Sequence, residues 1–283
     1  MKKQTLMVIL TGAALVAASQ VQAQLSYSQG DLLLNFRDTS ATGTADVTVD
    51  IGNYNTFLSS LTPGQAVDLV GSTGVISSSQ LTSVVGTPSS TAQIGFSAAG
   101  GYLASGSGIN ANYTLFLTRV ISGPDATGSD LTPSGQQTRS AQKTFVNNVA
   151  TIGTAYINAG TQIGTANAAS VPSANTGSYQ SIGTDGTGTL DYKNQLVTDS
   201  NGGNIESLQS GSGDVYSALW AVPSTQANAS DTYEGYFTFK SDGEVDFTAA
   251  GLSAVPEPST YGLIAGLGLL GLAFRRQLRS VIA

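Results

Sequence analysis

Asp46-Val47-Thr48-Val49-Asp50-Ile51-Gly52 is the stretch that decides the fold. Val47, Val49 and Ile51 alternate with Asp46, Thr48 and Asp50. Strict period-two alternation is the pattern of a half-buried antiparallel strand, apolar on one face and solvated on the other. Upstream, residues 31–38 set Leu32, Leu34 and Phe36 on one side. The link between the two runs is a polar Gly/Ser/Thr turn, so the pair predicts a hairpin.

Beyond this hairpin, Tyr54, Phe57, Leu58 and Leu61 fall at helical spacing and stop at Pro63-Gly64. Ser77, Ser78 and Ser79 offer N-caps for a short helical turn with Leu81, Val84 and Val85, ended by Gly86. Residues 93–97 and 112–120 are strand-like. The second is apolar on both faces from Tyr113 to Thr118, as a central strand should be.

After a Gly/Pro/Asp-rich loop over 122–137, Phe145, Val149, Ile152 and Tyr156 recur at helical intervals and predict an amphipathic helix over 138–159. Residues 160–188 are Gly, Thr, Ser, Ala and Asn with little to bury, which predicts a flexible, loosely packed segment. Trp220 lies in an apolar run over 215–222. Residues 233–240 and 244–249 flank Ser241-Asp242-Gly243, so that Phe237 and Phe239 face Val245 and Phe247 across a turn whose Asp-Gly supplies a positive φ. Together these elements predict a mainly β domain over 24–254, an antiparallel β-sandwich or jelly-roll-like sheet with one inserted helix. Its first and last strands should share one sheet system, because exposed edges need covering.

Composition narrows the chemistry. The 283-residue chain has no Cys and no His. That excludes disulfides, thiolate metal sites and every serine–histidine or cysteine–histidine mechanism. Five of the 11 Lys and Arg (Lys2, Lys3, Arg275, Arg276, Arg279) but only Glu257 of the 18 Asp and Glu lie near the two ends. The domain between them therefore holds 17 acids and 6 bases, a net charge of −11. Such a charge speaks against nucleic acid and against anionic membrane surfaces as partners. With so few charged residues and abundant Gly, Ser and Thr, the chain has the composition of a secreted β-rich surface protein.

The ends carry their own signals. Residues 1–23 read as a secretory signal peptide, with Lys2 and Lys3, an apolar run from Leu6 to Ala18, and Val21-Gln22-Ala23 as a small-x-small site, so that cleavage falls between Ala23 and Gln24. Export through the Sec translocon is the expectation. At the other end, Val255-Pro256-Glu257-Pro258-Ser259-Thr260 precedes an uncharged run from Tyr261 to Phe274, followed by Arg275, Arg276 and Arg279. A transmembrane helix over 260–274 would fall short of the roughly 17–20 apolar residues a comfortable span requires. The arginines act as a membrane stop and set the C-terminus on the cytoplasmic side. Pro256 and Pro258 keep Glu257 in a stiff, extended strip outside the bilayer, the form in which peptide-cleaving enzymes accept substrate.

This order of features over 255–283 resembles the PEP-CTERM sorting tail of exported proteins of Gram-negative bacteria. The resemblance implies that Pro256, Glu257 and Pro258 are the recognised sorting motif and that a membrane-embedded exosortase is the processing partner. It further implies that Arg275 and Arg276 are the stop, and that the chain is transiently anchored before release to the cell surface or extracellular medium. The opening Gly30-Asp31-Leu32-Leu33-Leu34-Asn35-Phe36-Arg37 and the closing Phe-rich hairpin are similar to a recurrent type of PEP-CTERM cargo, a similarity that brings no activity with it.

Within the domain, the candidate sites each have an ordinary explanation beside the functional one. Asp185-Gly186-Thr187-Gly188-Thr189-Leu190-Asp191 offers oxygens to calcium but lacks the ligand spacing and closing Glu of an EF-hand loop, and a solvated turn accounts for it. Asp242-Gly243-Glu244 is explained by its hairpin. Glu206, Glu234 and Glu244 form no evident acid pair of the kind a glycosidase needs. Trp220, Tyr233 and Tyr236 could stack on sugar rings or pack in the sheet. The expectation is a non-enzymatic structural or adhesive protein of the cell surface or exopolysaccharide matrix, without metal or cofactor. The alternatives are a carbohydrate-binding module for exported polysaccharide and a carboxylate-based hydrolase.

Overall fold

In the computed structural model, residues 25–39, 44–105, 112–124, 138–164, 167–184, 205–224 and 231–250 are described. The predicted hairpin is present: β1 (Asp31–Asp38) and β2 (Ala45–Asn53) pair antiparallel, with Leu34 opposite Val49 and Phe36 opposite Val47. From there a single sheet extends both ways. Its order is β3 (Ala66–Val70), β11 (Val245–Ala249), β10 (Thr232–Phe239), β9 (Val215–Pro223), β5 (Asn112–Ile121), β4 (Ile94–Ser105), β1, β2, β7 (Ala168–Pro172) and β6 (Thr161–Gln162). A short β8 (Ser207–Gln209) pairs with the start of β4 where β5 turns away from it. Every ladder is antiparallel.

The expected two-sheet sandwich is replaced by one sheet curled on itself as a half-barrel. Phe36 of β1 and Phe239 of β10 have β4, β5 and β9 between them in the strand order. On a flat sheet four strand spacings would separate them by about 19 Å. Their ring centroids lie 5.7 Å apart. Phe96 of β4 touches Phe36, Phe237 and Phe239 at 5.2–5.7 Å, so the aromatic residues of three strands meet in one core. Curling lets a single sheet cover its own apolar face, and no second sheet is required. As predicted, the first and last strands share a sheet system and β5 is central.

The helices close what the sheet leaves open. Asn53 caps α1 (Tyr54–Ser59) through its side-chain oxygen. Ser77 and Gln80 form a capping box on α2 (Ser78–Val85), which buries Leu81 and Val85 and stops at Gly86, with φ of 86°. The amphipathic helix appears as α3 (Arg139–Ala159), capped by Thr138. Its Phe145, Val149 and Ile152 pack on Leu33, Leu115, Leu117 and Val222, the convex face of the sheet. Tyr156 packs on Ala169 and Val171 of β7.

Two expectations are corrected. Residues 160–184 are not loosely packed: they supply β6, β7 and α4 (Tyr179–Thr184), and Ala168, Ala169, Tyr179 and Ile182 are buried. Small side chains are a packing requirement here, since a Cβ on Gly160 would strike the Tyr156 carbonyl and Ala169. The segment covers the open edge of β2. Secondly, the polar face of β2 is not solvated: Asp46, Thr48 and Asp50 are buried, with the Gln180 N–H of α4 on Asp46 and Tyr156 of α3 beside Asp50. Residues 1–23, the segment 185–188 and the tail 255–283 lie outside the described residues. Among the described residues no helix is long and apolar enough to cross a membrane.

Candidate functional site

With both faces of β1 and β2 covered, the alternation that sends Leu34, Phe36, Val47 and Val49 to one core sends polar residues into the other. Asp31, Asn35 and Arg37 of β1 lie beside Asp46, Thr48 and Asp50 of β2, and all six are buried. Thr48 Oγ1 donates to Asn35 Oδ1 at 3.2 Å, which closes the middle of this polar row. Its two ends differ in charge.

At one end Arg37 sits directly across from Asp46. Its guanidinium also grips Glu206 with two prongs, Nε to Oε1 at 2.7 Å and Nη2 to Oε2 at 2.6 Å. Nη1 donates to Gln180 Oε1 at 3.1 Å, and the Tyr179 hydroxyl donates to Glu206 Oε1 at 2.9 Å. The Gln180 amide N–H donates to Asp46 Oδ2. Burial pulls the Arg37 guanidinium down, but the bonds and charge of Glu206 outweigh it and hold the group above its ordinary value. Burial pushes Asp46 up to about 6, against the lowering effect of the Gln180 and Ser178 bonds and of Arg37. Backbone makes room for this contact: a Cβ on Gly95 would collide with the Glu206 carboxylate. Both oxygens of Glu206 are held, Oε1 by Arg37 and Tyr179 and Oε2 by Arg37. The cluster ties α4 and β8 to the first hairpin.

At the other end no Lys or Arg pairs with the carboxylates among the described residues. Asp50 Oδ1 accepts from the Gly52 N–H at 2.7 Å, and Asp31 Oδ2 accepts from the Ser28 N–H at 2.6 Å. Burial, countered by the Gly52 bond and reinforced by the charge of Asp31, pushes Asp50 up to about 6. The Tyr27 hydroxyl, beside both carboxylates, is pushed up to about 12 by burial and then by their charges. The Tyr27 ring lies where any side chain on Gly153 of α3 would have to go.

Other candidates fall elsewhere. Trp220 is only 7% exposed and lies in the core under α3, its ring 5.4 Å from Tyr233. It is therefore not a stacking platform for a sugar. Tyr236 packs edge-on to Tyr216 at 6.3 Å, and both it and Tyr233 are half-buried. Asp242-Gly243-Glu244 is a turn: Gly243 has φ of 92°, and Lys240 bridges Glu244 at 3.0 Å and Asp246 at 2.8 Å. A bulge in β10 between Tyr233 and Gly235 directs Glu234 to the buried Tyr54 hydroxyl. Burial raises Glu234, and its bond from Tyr54 opposes the rise. Asp185 and Asp191 lie outside the described residues. The Arg37–Glu206 pair escaped the sequence reading because its partners are far apart in the chain. Its one local trace is that Arg37 and Asp46 fall in register across the predicted hairpin.

The body is secured up to its last described strand. Ala249 of β11 accepts from the Gly64 N–H at 3.1 Å, and the Ala250 N–H donates to the Glu234 carbonyl at 2.9 Å. A few residues further on, the family model of the PEP-CTERM protein-sorting motif matches residues 254–277. The chain carries a PEP-CTERM sorting domain. Neither the curated proteins nor the solved structures give a match to the chain.

The PEP-CTERM motif marks an exported protein that is targeted to an exosortase and processed at a C-terminal membrane anchor. Pro256, Glu257, Pro258, Arg275 and Arg276 fall within the matched residues, and Arg279 lies two residues past them. These residues, like Ala23 and Gln24, lie outside the described ones. The PEP-CTERM tail thus begins a few residues after β11, whose register is fixed on both sides by β10 and the edge strand β3.

Proposed function

We propose that the half-barrel is the cargo of the sorting domain and serves as a structural or adhesive component of the cell surface or exopolysaccharide matrix. In this reading residues 1–23 direct the chain to the Sec translocon and are removed between Ala23 and Gln24. The exosortase then recognises Pro256, Glu257 and Pro258, with Arg275, Arg276 and Arg279 holding the tail at the inner face of the membrane. The single observation that carries the proposal is the sorting motif placed a few residues after a well-tied β-hairpin. With β11 paired on both sides, processing of the tail leaves the strands of the body intact. The buried polar row adds a domain held by internal ion pairing and hydrogen bonds, suited to persistence outside the cell.

The test is the intact mass of the protein from envelope and medium, with and without the exosortase. The proposal expects a processed form lacking residues 1–23 and the C-terminal tail, and its disappearance without the enzyme or in a Glu257→Ala variant. Unchanged mass and location in both would overturn it.

A further inference from the structure

Surface charge is divided between the two ends of the half-barrel. Asp38, Asp68, Asp214, Asp242, Glu244 and Asp246 lie at or towards the end that holds the β10–β11 turn, with Lys240 as the surface base there among the described residues. At the opposite end β11 finishes and the chain leads on to the sorting tail. That end carries Asp231 and Glu234 against Arg139 and Lys143. Gln142, in the first turn of α3, donates to the Val222 carbonyl at 3.1 Å, which sets the two bases beside the end of β9 and the start of β10. Residues 54–67 form α1 and the link to β3 at this same end, tied there by Tyr54 N–H to the Gly30 carbonyl and Gly64 N–H to the Ala249 carbonyl, and none of them is charged. One end of the body is therefore acidic and the other near neutral.

We propose that the near-neutral end of the half-barrel rests on the anionic lipid surface of the membrane while the tail is anchored, with the acidic end turned away. This inference rests on the membrane anchor of the proposed function. Tyr261 opens the uncharged run 11 residues beyond Ala250, so the tail end of the body lies within about 40 Å of the bilayer even at full stretch. A net charge of −11 spread evenly would be repelled by such a surface, but the structure gathers the described surface acids at the far end. The eight residues of β10 hold the two ends about 25 Å apart. That is roughly three Debye lengths at physiological salt, so the lipid phosphates act on the near end and scarcely on the far one. Arg139 and Lys143 supply the attraction, and the uncharged α1 end adds no repulsion. Held in this way, the body keeps the strip from Pro256 to Pro258 close to the membrane in which the exosortase works.

The chain has no Cys, so a single introduced cysteine labels one place. Thr62→Cys marks the near-neutral end and Ser212→Cys the acidic end, both at exposed positions. Each full-length variant, carrying a fluorescent donor, is reconstituted into vesicles of equimolar phosphatidylcholine and phosphatidylglycerol with an acceptor on the lipid headgroups. Energy transfer from site 62 should exceed that from site 212 about twofold or more at physiological salt, and the excess should shrink in about 1 M salt, where the Debye length falls to about 3 Å. It should shrink likewise in vesicles of phosphatidylcholine alone and in an Arg139→Glu/Lys143→Glu chain. Equal transfer from the two sites would overturn the proposal. So would an excess that is the same in neutral vesicles and in high salt, because the tether alone would then set the orientation. An excess seen only after exosortase is added would also overturn it, by assigning the face to a protein. Chains that fail to float with the vesicles at all would sink the anchor itself, a failure distinct from the other three.

Discussion

Arg37 and Glu206, 169 residues apart in the chain, meet in a two-pronged buried ion pair at 2.7 and 2.6 Å. The side chains are 9% and 7% exposed, so solvent screens the pair little. Removing one partner leaves the other charged and unmatched. Arg37→Leu or Glu206→Leu alone should therefore cost about 3–5 kcal/mol in denaturant unfolding. The double replacement should cost clearly less than the sum of the two. Additive losses would show that the charges do not act as a pair.

Gly95 is the space that the ion pair requires. Gly95→Ala should destabilise by about 1–3 kcal/mol through overpacking against Glu206. In an Arg37→Leu/Glu206→Leu background the same substitution should cost much less, as denaturation midpoints will show.

Asp46 makes stability depend on pH. Its folded value of about 6 lies above the ordinary 3.8, so the folded state holds the proton more tightly than the unfolded chain does. Its contribution is present in full below about pH 4 and is lost as pH rises through 6, amounting to about 2–3 kcal/mol. Asp46→Asn should flatten that part of the curve, read as Tm against pH between 4 and 7. An unaltered slope would show that other groups set it.

Phe36 and Phe239 join the two ends of the domain. Either one replaced by Ala should cost about 3–5 kcal/mol. Because the rings touch, the two losses should couple by about 0.5–1.5 kcal/mol in a double-mutant cycle. Zero coupling would mean that the sheet does not curl as described.

Trp220 should behave as a core residue. Its emission should be blue-shifted and poorly quenched by iodide in the native protein. Trp220→Ala should lower stability by about 3–5 kcal/mol whether or not a glycan is present. Emission at the wavelength of exposed Trp would contradict the burial.

The positions of β1, β2, β5, α3 and the β10–β11 hairpin were legible in the sequence, because each depends on a local period. Leu32, Leu34 and Phe36 alternate, Phe145 to Tyr156 recur every three or four residues, and Asp242-Gly243 marks its own turn. The capping box at Ser77 and Gln80 is local in the same way. The sorting motif is likewise a linear signal, read by its order of residues along the chain.

What alternation cannot convey is whether the polar side of a strand meets water or another part of the chain. Asp46, Thr48 and Asp50 have the pattern of a solvated face, and only the packing of α3 and α4 against them turns that face inward. The Ala- and Gly-rich stretch around 160–172 has no period to read, since its role is to be thin enough for Tyr156 and β2 to close over it. Curling is a property of the whole sheet, and it brings Phe36 to Phe239 across three intervening strands. The sequence by itself determined where the strands and helices with a local period run, β1, β2, β5, α3 and the β10–β11 hairpin among them, and that the chain is addressed for export. Tertiary structure alone decided which charges are buried together, because contacts between residues as distant as Arg37 and Glu206 are set by chain closure and leave no local trace.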